Sequence, residues 1–165
     1  MKKEYIHILI AILLILTLGG YVYYNRTIIS ETDPTGKFEI SNPAKIVQDN
    51  QQNKYIIDNS MRRVVKLNSN NHVDFFINGG KRSTRGFFNA VDVAADDEGN
   101  LYILELVYYE GTAYTERQRI LKYNGSGNFV KTLYSKDFFE EEQLGEGRYA
   151  NLKYINGKLL LHLPG

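Results

Sequence analysis

Pro43-Ala44-Lys45-Ile46-Val47-Gln48-Asp49 and, at an offset of 47, Ala90-Val91-Asp92-Val93-Ala94-Ala95-Asp96 share one pattern of apolar run closed by aspartate. The match continues at the same offset, with Asn53-Lys54-Tyr55-Ile56-Ile57-Asp58 over Asn100-Leu101-Tyr102-Ile103-Leu104-Glu105. Asn50-Gln51-Gln52 and Asp97-Glu98-Gly99 are the intervening turns. The offset then widens to 56, placing Arg63-Val64-Val65-Lys66-Leu67-Asn68 over Arg119-Ile120-Leu121-Lys122-Tyr123-Asn124, so the second copy carries nine extra residues before its third strand. Self-similarity at a fixed period marks supersecondary units repeated along a chain.

Each copy reads as strands, because its apolar runs are four to six residues long, are separated by Asn, Gly and Asp turns, and lack sustained 3.6-residue spacing. A polar turn, Asn68 to Asn71 or Asn124 to Asn128, leads to a fourth strand, His72 to Ile77 or Phe129 to Tyr134. The class is all-β. Four antiparallel strands per repeat of about 40 to 50 residues is the period of a β-propeller blade. Tyr55-Ile56-Ile57 and Leu101-Tyr102-Ile103-Leu104 are apolar on both faces, as expected of sheets covered on both sides. A β-sandwich with two coincidentally similar hairpin units is the alternative. A third copy begins at Tyr149 to Tyr154, turns at Asn156-Gly157 and continues through Lys158 to Leu163. The expectation is a partial ring of about two and a half blades, where closed propellers hold four to eight. The remaining blades are expected in a longer chain or, as the alternative, from self-association.

Asp58-Asn59-Ser60-Met61-Arg62-Arg63-Val64 resembles the NHL repeat, which runs Asp, two small residues, Asn, any residue, Arg and an aliphatic. Pro43, Val47, Asp49, Asn53 and Tyr55, and in the second copy Gly86 to Ala90 and Asp96-x-x-Gly99-Asn100-Leu101-Tyr102, are similar to the same pattern. Met61 and Ala90 depart from it, as does the insertion. The resemblance covers 43–134 and implies six-bladed propellers; some of that kind are lactonase-like hydrolases or amidating lyases with a metal in the central channel.

Residues 5–24 carry no formal charge, and Ile8 to Leu18 is broken only by Thr17. Twenty residues at about 1.5 Å each span the roughly 30 Å hydrocarbon layer. Lys2 and Lys3 precede the stretch and Glu31 and Asp33 follow it, so residues 1–4 read as a cytoplasmic tail, 5–24 as a transmembrane signal anchor, 25–36 as a linker and 37–165 as the partial propeller outside the membrane. The alternatives for 5–24 are a cleaved signal peptide, although no A-x-A-like site follows it, and a buried core helix. A net charge of +1 with interspersed signs lacks the field that gathers nucleic acid. The absence of cysteine excludes disulfides, thiolate catalysis and lipid attachment through cysteine, and the three scattered histidines suggest no metal cluster.

Chemistry is sparse: no nucleophile elbow, phosphate loop or zinc-protease helix occurs, so no catalytic residue, metal ligand or cofactor is assigned. Asp49, Asp58, Asp96 and Glu105 recur at equivalent strand ends, where they either line a metal-binding channel or accept backbone hydrogen bonds and hold Arg63 and Arg119 within each copy. Lys81-Arg82-Ser83-Thr84-Arg85 is a flexible basic run, and Arg82 and Arg85 are candidates for an anionic ligand such as a cell-wall polymer; a solvated loop is the plain alternative. Glu140-Glu141-Glu142 reads as a solvated turn. The insertion, Leu106 to Gln118, offers Tyr108, Tyr109 and Tyr114 either as binding residues or as packing in an elongated hairpin. The expected function is a binding or sensing module on the cytoplasmic membrane, taking a protein or cell-envelope ligand. The alternatives are a propeller hydrolase or lyase with its metal site in further blades, and a structural ectodomain of a larger complex.

Overall fold

The computed structural model describes residues 39–80, 84–111, 115–138 and 150–162. These are all-β, with no helix among them. The first four-stranded sheet comprises β1 (Pro43–Gln48), β2 (Lys54–Asp58), β3 (Arg63–Leu67) and β4 (Val73–Asn78), hydrogen-bonded antiparallel in chain order. The second comprises β5 (Ala90–Ala95), β6 (Leu101–Tyr108), β7 (Thr115–Tyr123) and β8 (Phe129–Asp137) in the same meander. A hairpin of β9 (Asn151–Ile155) and β10 (Lys158–His162) follows. The segment 5–24 lies outside the described residues; among those described, no helix is long and apolar enough to cross a membrane.

The register explains why both faces of the strands are apolar. Tyr55, Ile57, Val64, Phe75 and Ile77 of the first sheet pack on Val93, Leu101, Ile103, Leu121 and Tyr123 of the second. The opposite face of the second sheet, with Ala94, Tyr102, Leu104 and Ile120, packs on Ala150, Leu152, Tyr154, Leu159 and Leu161 of the hairpin region. The second sheet is therefore the middle layer, and alternate residues of one strand enter different cores. The far face of the first sheet gathers Ile56, Val65 and Phe76 with Ile40, Leu67 and Val73. Ile46 on that sheet is 58% exposed, while Val93 at the equivalent position 47 residues on is 0% exposed.

The turns recur in atomic detail. Asp49 Oδ1 accepts from Gln51 N and Asn53 N, and its Oδ2 accepts from the Asn53 carboxamide at 2.9 Å and the Tyr55 hydroxyl at 3.1 Å. Asp96 takes Glu98 N, Asn100 N, the Asn100 carboxamide at 2.8 Å and the Tyr102 hydroxyl at 2.7 Å. Gln52 and Gly99, each at positive φ, close these turns. Asn68 and Asn124 likewise each accept two backbone N–H groups in the next turn, from Asn70 and His72 and from Ser126 and Asn128. Such Asx turns give the chain local partners where the ladder stops.

The fourth strands run Val73–Asn78 and Phe129–Asp137 instead of His72 to Ile77 and Phe129 to Tyr134. β8 is longer because the insertion prolongs its neighbours: Leu106, Val107 and Tyr108 pair with Gln118, Arg117 and Thr115, giving β7 more length to pair against.

Gly79 joins the two sheets, and a Cβ built on it would sit inside the van der Waals envelope of the Phe87 ring, which is 1% exposed. A buried ring between two sheets has little room to withdraw. Gly79→Ala should therefore lose about 1–3 kcal/mol of stability; chemical denaturation measures it, and an unchanged midpoint would show the joint to be looser than the packing indicates.

Candidate functional site

A cleft opens where the first sheet's β2–β3 turn meets the segment leading into β5. It is lined by Ile57, Asp58, Asn59, Arg62, Arg63, Phe87, Phe88, Asn89 and Ala90. Two ion pairs occupy equivalent positions of the two sheets, and the first of them lines this cleft. Arg63 meets Asp58 at 3.1 Å, and Arg119 meets Glu105 at 2.6 Å, with both carboxylates 0% exposed. The guanidiniums also donate to carbonyls at one repeat position, Arg63 to Glu39 at 2.7 Å and Arg119 to Gly86 at 3.1 Å. Each arginine thus fastens the chain entering its sheet to the second strand of that sheet. The nine-residue insertion separates Glu105 from Arg119 in sequence and leaves the pair intact, since it lengthens the hairpin beyond them.

Burial pushes the Asp58 pKa up, but the N–H groups of Asn42, Ser41 and Met61, with Arg63, outweigh it and hold the carboxyl below its usual value. Burial also opposes ionisation of Asp96, and Asn100, Tyr102 and Glu98 N–H reverse the balance to leave it lowered. Glu105 differs: burial raises its pKa, and the Phe88 N–H and Arg119 only partly offset that. Asp49, Asp58, Asp96 and Glu105 are all occupied by hydrogen bonds within their own sheets. Among the described residues no group of three or more His, Asp or Glu side chains is placed to hold a metal ion.

The rim of the cleft is different in kind from its floor. Arg62 has φ +48°, a left-handed conformation that costs a non-glycine residue on the order of 1 kcal/mol. Its carbonyl accepts from Gly79 N at 2.7 Å, its side chain lies across Gly80, and its guanidinium sits 5.9 Å from the Phe88 ring centroid. Arg62 has no carboxylate partner among the described residues, and the carboxamides of Asn59 and Asn89 have no hydrogen-bond partner there.

Of the residues singled out from sequence, Arg82 and Tyr114 lie outside the described residues. Arg85 is exposed, on the segment approaching this cleft, and its carbonyl accepts from the Tyr123 hydroxyl at 3.3 Å. Tyr108 ends β6, half-buried and paired with Thr115; Tyr109 donates to the Phe138 carbonyl at 3.0 Å. The insertion is thus an elongated hairpin, and Tyr109 braces its tip against the end of β8. Arg62, Asn59 and Asn89 were not singled out by sequence reasoning, because only folding brings the β2–β3 turn beside residues 87–90. The doubled arginine Arg62-Arg63 was the available signal: one guanidinium answers Asp58 and the other is left over.

No protein-family model matches the chain, and no curated protein matches it.

Because Asp58 and Asp96 have lowered pKa values in the fold, the unfolded chain binds more protons once pH falls below about 4, where free carboxylates titrate. Their stabilisation is full above that range and is lost as pH drops through the folded values. Glu105 has the opposite sign, contributing most at low pH and losing that share as pH rises through its raised value. Asp96→Asn should lower Tm near neutral pH and flatten the fall in Tm between about pH 5 and pH 3. Melting curves across that range check it; an unaltered slope would remove Asp96 from the account.

Proposed function

We propose that the chain is a membrane-anchored extracytoplasmic binding module of β-propeller type, built from NHL-like blades. The single observation that carries the propeller reading is the recurrence, at an offset of 47 residues, of the Asp-Asn-Tyr turn network in two four-stranded meanders that pack face to face. Successive inner strands β1, β5 and β9 run past one another, with β5 contacting both of the others, as blades around an axis do. Further blades of a longer chain, or other copies, would complete the ring. The uncharged segment 5–24 supports the anchor reading, and the charge asymmetry around it supports an extracytoplasmic position for the sheets.

Binding fits better than catalysis because the aligned carboxylates Asp49, Asp58, Asp96 and Glu105, which a channel metal would need, accept hydrogen bonds within their own sheets. Among the described residues Arg62 has no carboxylate partner and the Asn59 and Asn89 carboxamides have no hydrogen-bond partner, while Arg82, Arg85, Tyr108, Tyr109 and Tyr114 are candidates from the sequence.

In cells lacking an outer membrane, the protein should stay with membranes through a carbonate wash, and added protease should digest epitopes after Arg26 while the cells remain intact. Protection of those epitopes would contradict the topology. The purified segment from Lys37 to Gly165 should show no calcium- or zinc-dependent turnover of a lactone or ester; such turnover, lost on Asp49→Asn and Asp96→Asn, would favour the hydrolase reading.

A further inference from the structure

We infer that Asn156 is a self-modification site: its carboxamide is lost through ring closure by the Gly157 backbone nitrogen, and the isoaspartate that results opens the β9–β10 hairpin. The inference rests on turn chemistry and hairpin packing, and is independent of the membrane and ligand readings.

The chain holds three Asn-Gly steps, Asn78-Gly79, Asn124-Gly125 and Asn156-Gly157. A glycine after asparagine has no Cβ to shield its backbone nitrogen or to restrict its rotation, so this step is the one most open to intramolecular attack on the carboxamide. The reaction brings the glycine nitrogen onto the asparagine Cγ, and both groups must be free to move. At Asn78 they are not: Gly79 N donates to the Arg62 carbonyl at 2.7 Å, and Gly79 is wedged against the buried Phe87 ring. At Asn124 the carboxamide oxygen accepts Ser126 N at 3.1 Å and Asn128 N at 2.9 Å, and Gly125 packs beside the Gly99 carbonyl.

Asn156-Gly157 lacks each of these restraints. Both residues are exposed, and a Cβ built on Gly157 would meet nothing within 4 Å. Among the described residues neither the Asn156 carboxamide nor Gly157 N has a hydrogen-bond partner. Their φ values of +52° and +75° are those of a two-residue type I′ turn between Ile155 and Lys158. The turn must swing out of that conformation before the ring closes, so hairpin opening gates the reaction. Only two strands hold the turn shut, and a ribbon of two strands is marginal in water.

The step needs nothing outside the chain except water. The Gly157 N–H gives its proton to hydroxide, the nitrogen forms a bond to Asn156 Cγ, and the Cγ–Nδ2 bond breaks, with Nδ2 taking a proton from water and leaving as ammonia. Water then opens the cyclic imide. Breaking the new Cγ–N bond gives aspartate with the original backbone, whereas breaking the original peptide C–N bond gives isoaspartate, whose backbone runs through Cβ and Cγ. Asp-Gly suits a type I′ turn as Asn-Gly does. Isoaspartate adds a backbone carbon that a two-residue turn matched to the strand twist has no room to absorb, so the Ile155–Lys158 closing pair and the register behind it fail. Leu159 and Leu161 then leave the core they share with Ala94, Tyr102 and Leu104, uncovering that face of the middle sheet.

The test incubates the full chain in detergent micelles at mildly alkaline pH and follows all three steps by peptide mapping with mass spectrometry, an isoaspartate methyltransferase marking the isoaspartate product. Asn156 should convert about tenfold or more faster than Asn78 and Asn124, whose release requires opening of the packed sheets. In denaturant the three rates should converge. Hydrogen exchange on the chromatographically separated isoaspartate fraction should show the amides of β9 and β10 exposed, while Asn156→Asp, which adds the charge without the extra backbone atom, keeps them protected. Equal rates at the three steps in the folded chain, no conversion at Asn156, or a lead for Asn156 that persists undiminished in denaturant would overturn the site. Hairpin amides still protected in the isoaspartate fraction, or equally exposed in Asn156→Asp, would overturn the opening assigned to it.

Discussion

The carboxylate of Asp92 is where the three sheets meet. It is 2% exposed, on the inner strand of the middle sheet. Its Oδ1 lies 3.2 Å from Lys45 Nζ on β1 and accepts its own neighbour's Val93 N–H, while its Oδ2 accepts Leu152 N from β9 at 2.9 Å. Lys45 and Asp92 occupy the same repeat position, 47 residues apart, so the pair joins one position of successive copies with opposite charges. Identical residues there would set like charges together. A buried charge is tolerated only when its hydrogen-bonding capacity is filled, and the lone pairs of Asp92 are filled by groups from all three layers.

Around that tie, stability comes from covering sheets on both faces. The middle sheet alone satisfies this among the described residues, which is why its Val93, Leu101, Ile103, Leu104 and Leu121 are the most deeply buried apolar side chains of the second copy. A two-stranded hairpin is marginal by itself in water. β9 and β10 therefore depend on Leu152, Leu159 and Leu161 reaching the core of Ala94, Tyr102 and Leu104, and on Leu152 N reaching Asp92. The polar groups are arranged to suit: Lys66, 9% exposed, crosses from the first sheet to the Gly125 carbonyl of the second and keeps its charge near Asp74 and over Tyr55 and Phe75.

Much of this was legible in the sequence because two stretches aligned at offsets of 47 and 56 place the same residue types at the same turns and strand ends. The Asp49-Asn53-Tyr55 and Asp96-Asn100-Tyr102 sets marked their turns, and the internal pairs of Asp58 with Arg63 and Glu105 with Arg119 were one of two readings of the aligned carboxylates, the second pair forming in spite of the nine-residue insertion that separates it in sequence. Contacts between copies left no such trace. Asp92 sits in an apolar run and looked like part of a strand, while its partners lie 47 and 60 residues away. Gln118, 1% exposed with an amide that has no partner among the described residues, was equally invisible, because it falls inside the insertion where no second copy constrains the reading. The Arg62 cleft is another product of assembly: Asn59 and Asn89 become neighbours only when the sheets stack.

The account stands on the sheets being fastened to one another through their inner strands, and native-state hydrogen exchange reads that fastening residue by residue. In the parent protein, amides of β9 and β10 should be protected. With Asp92→Ala, protection should fall across 151–162 by one to two orders of magnitude while Ile56, Val65, Ile103 and Leu121 keep theirs, since an unpartnered buried N–H costs about 1–3 kcal/mol. Unchanged protection of the hairpin in that variant would contradict the account, showing that the layers hold together without the carboxylate that joins them.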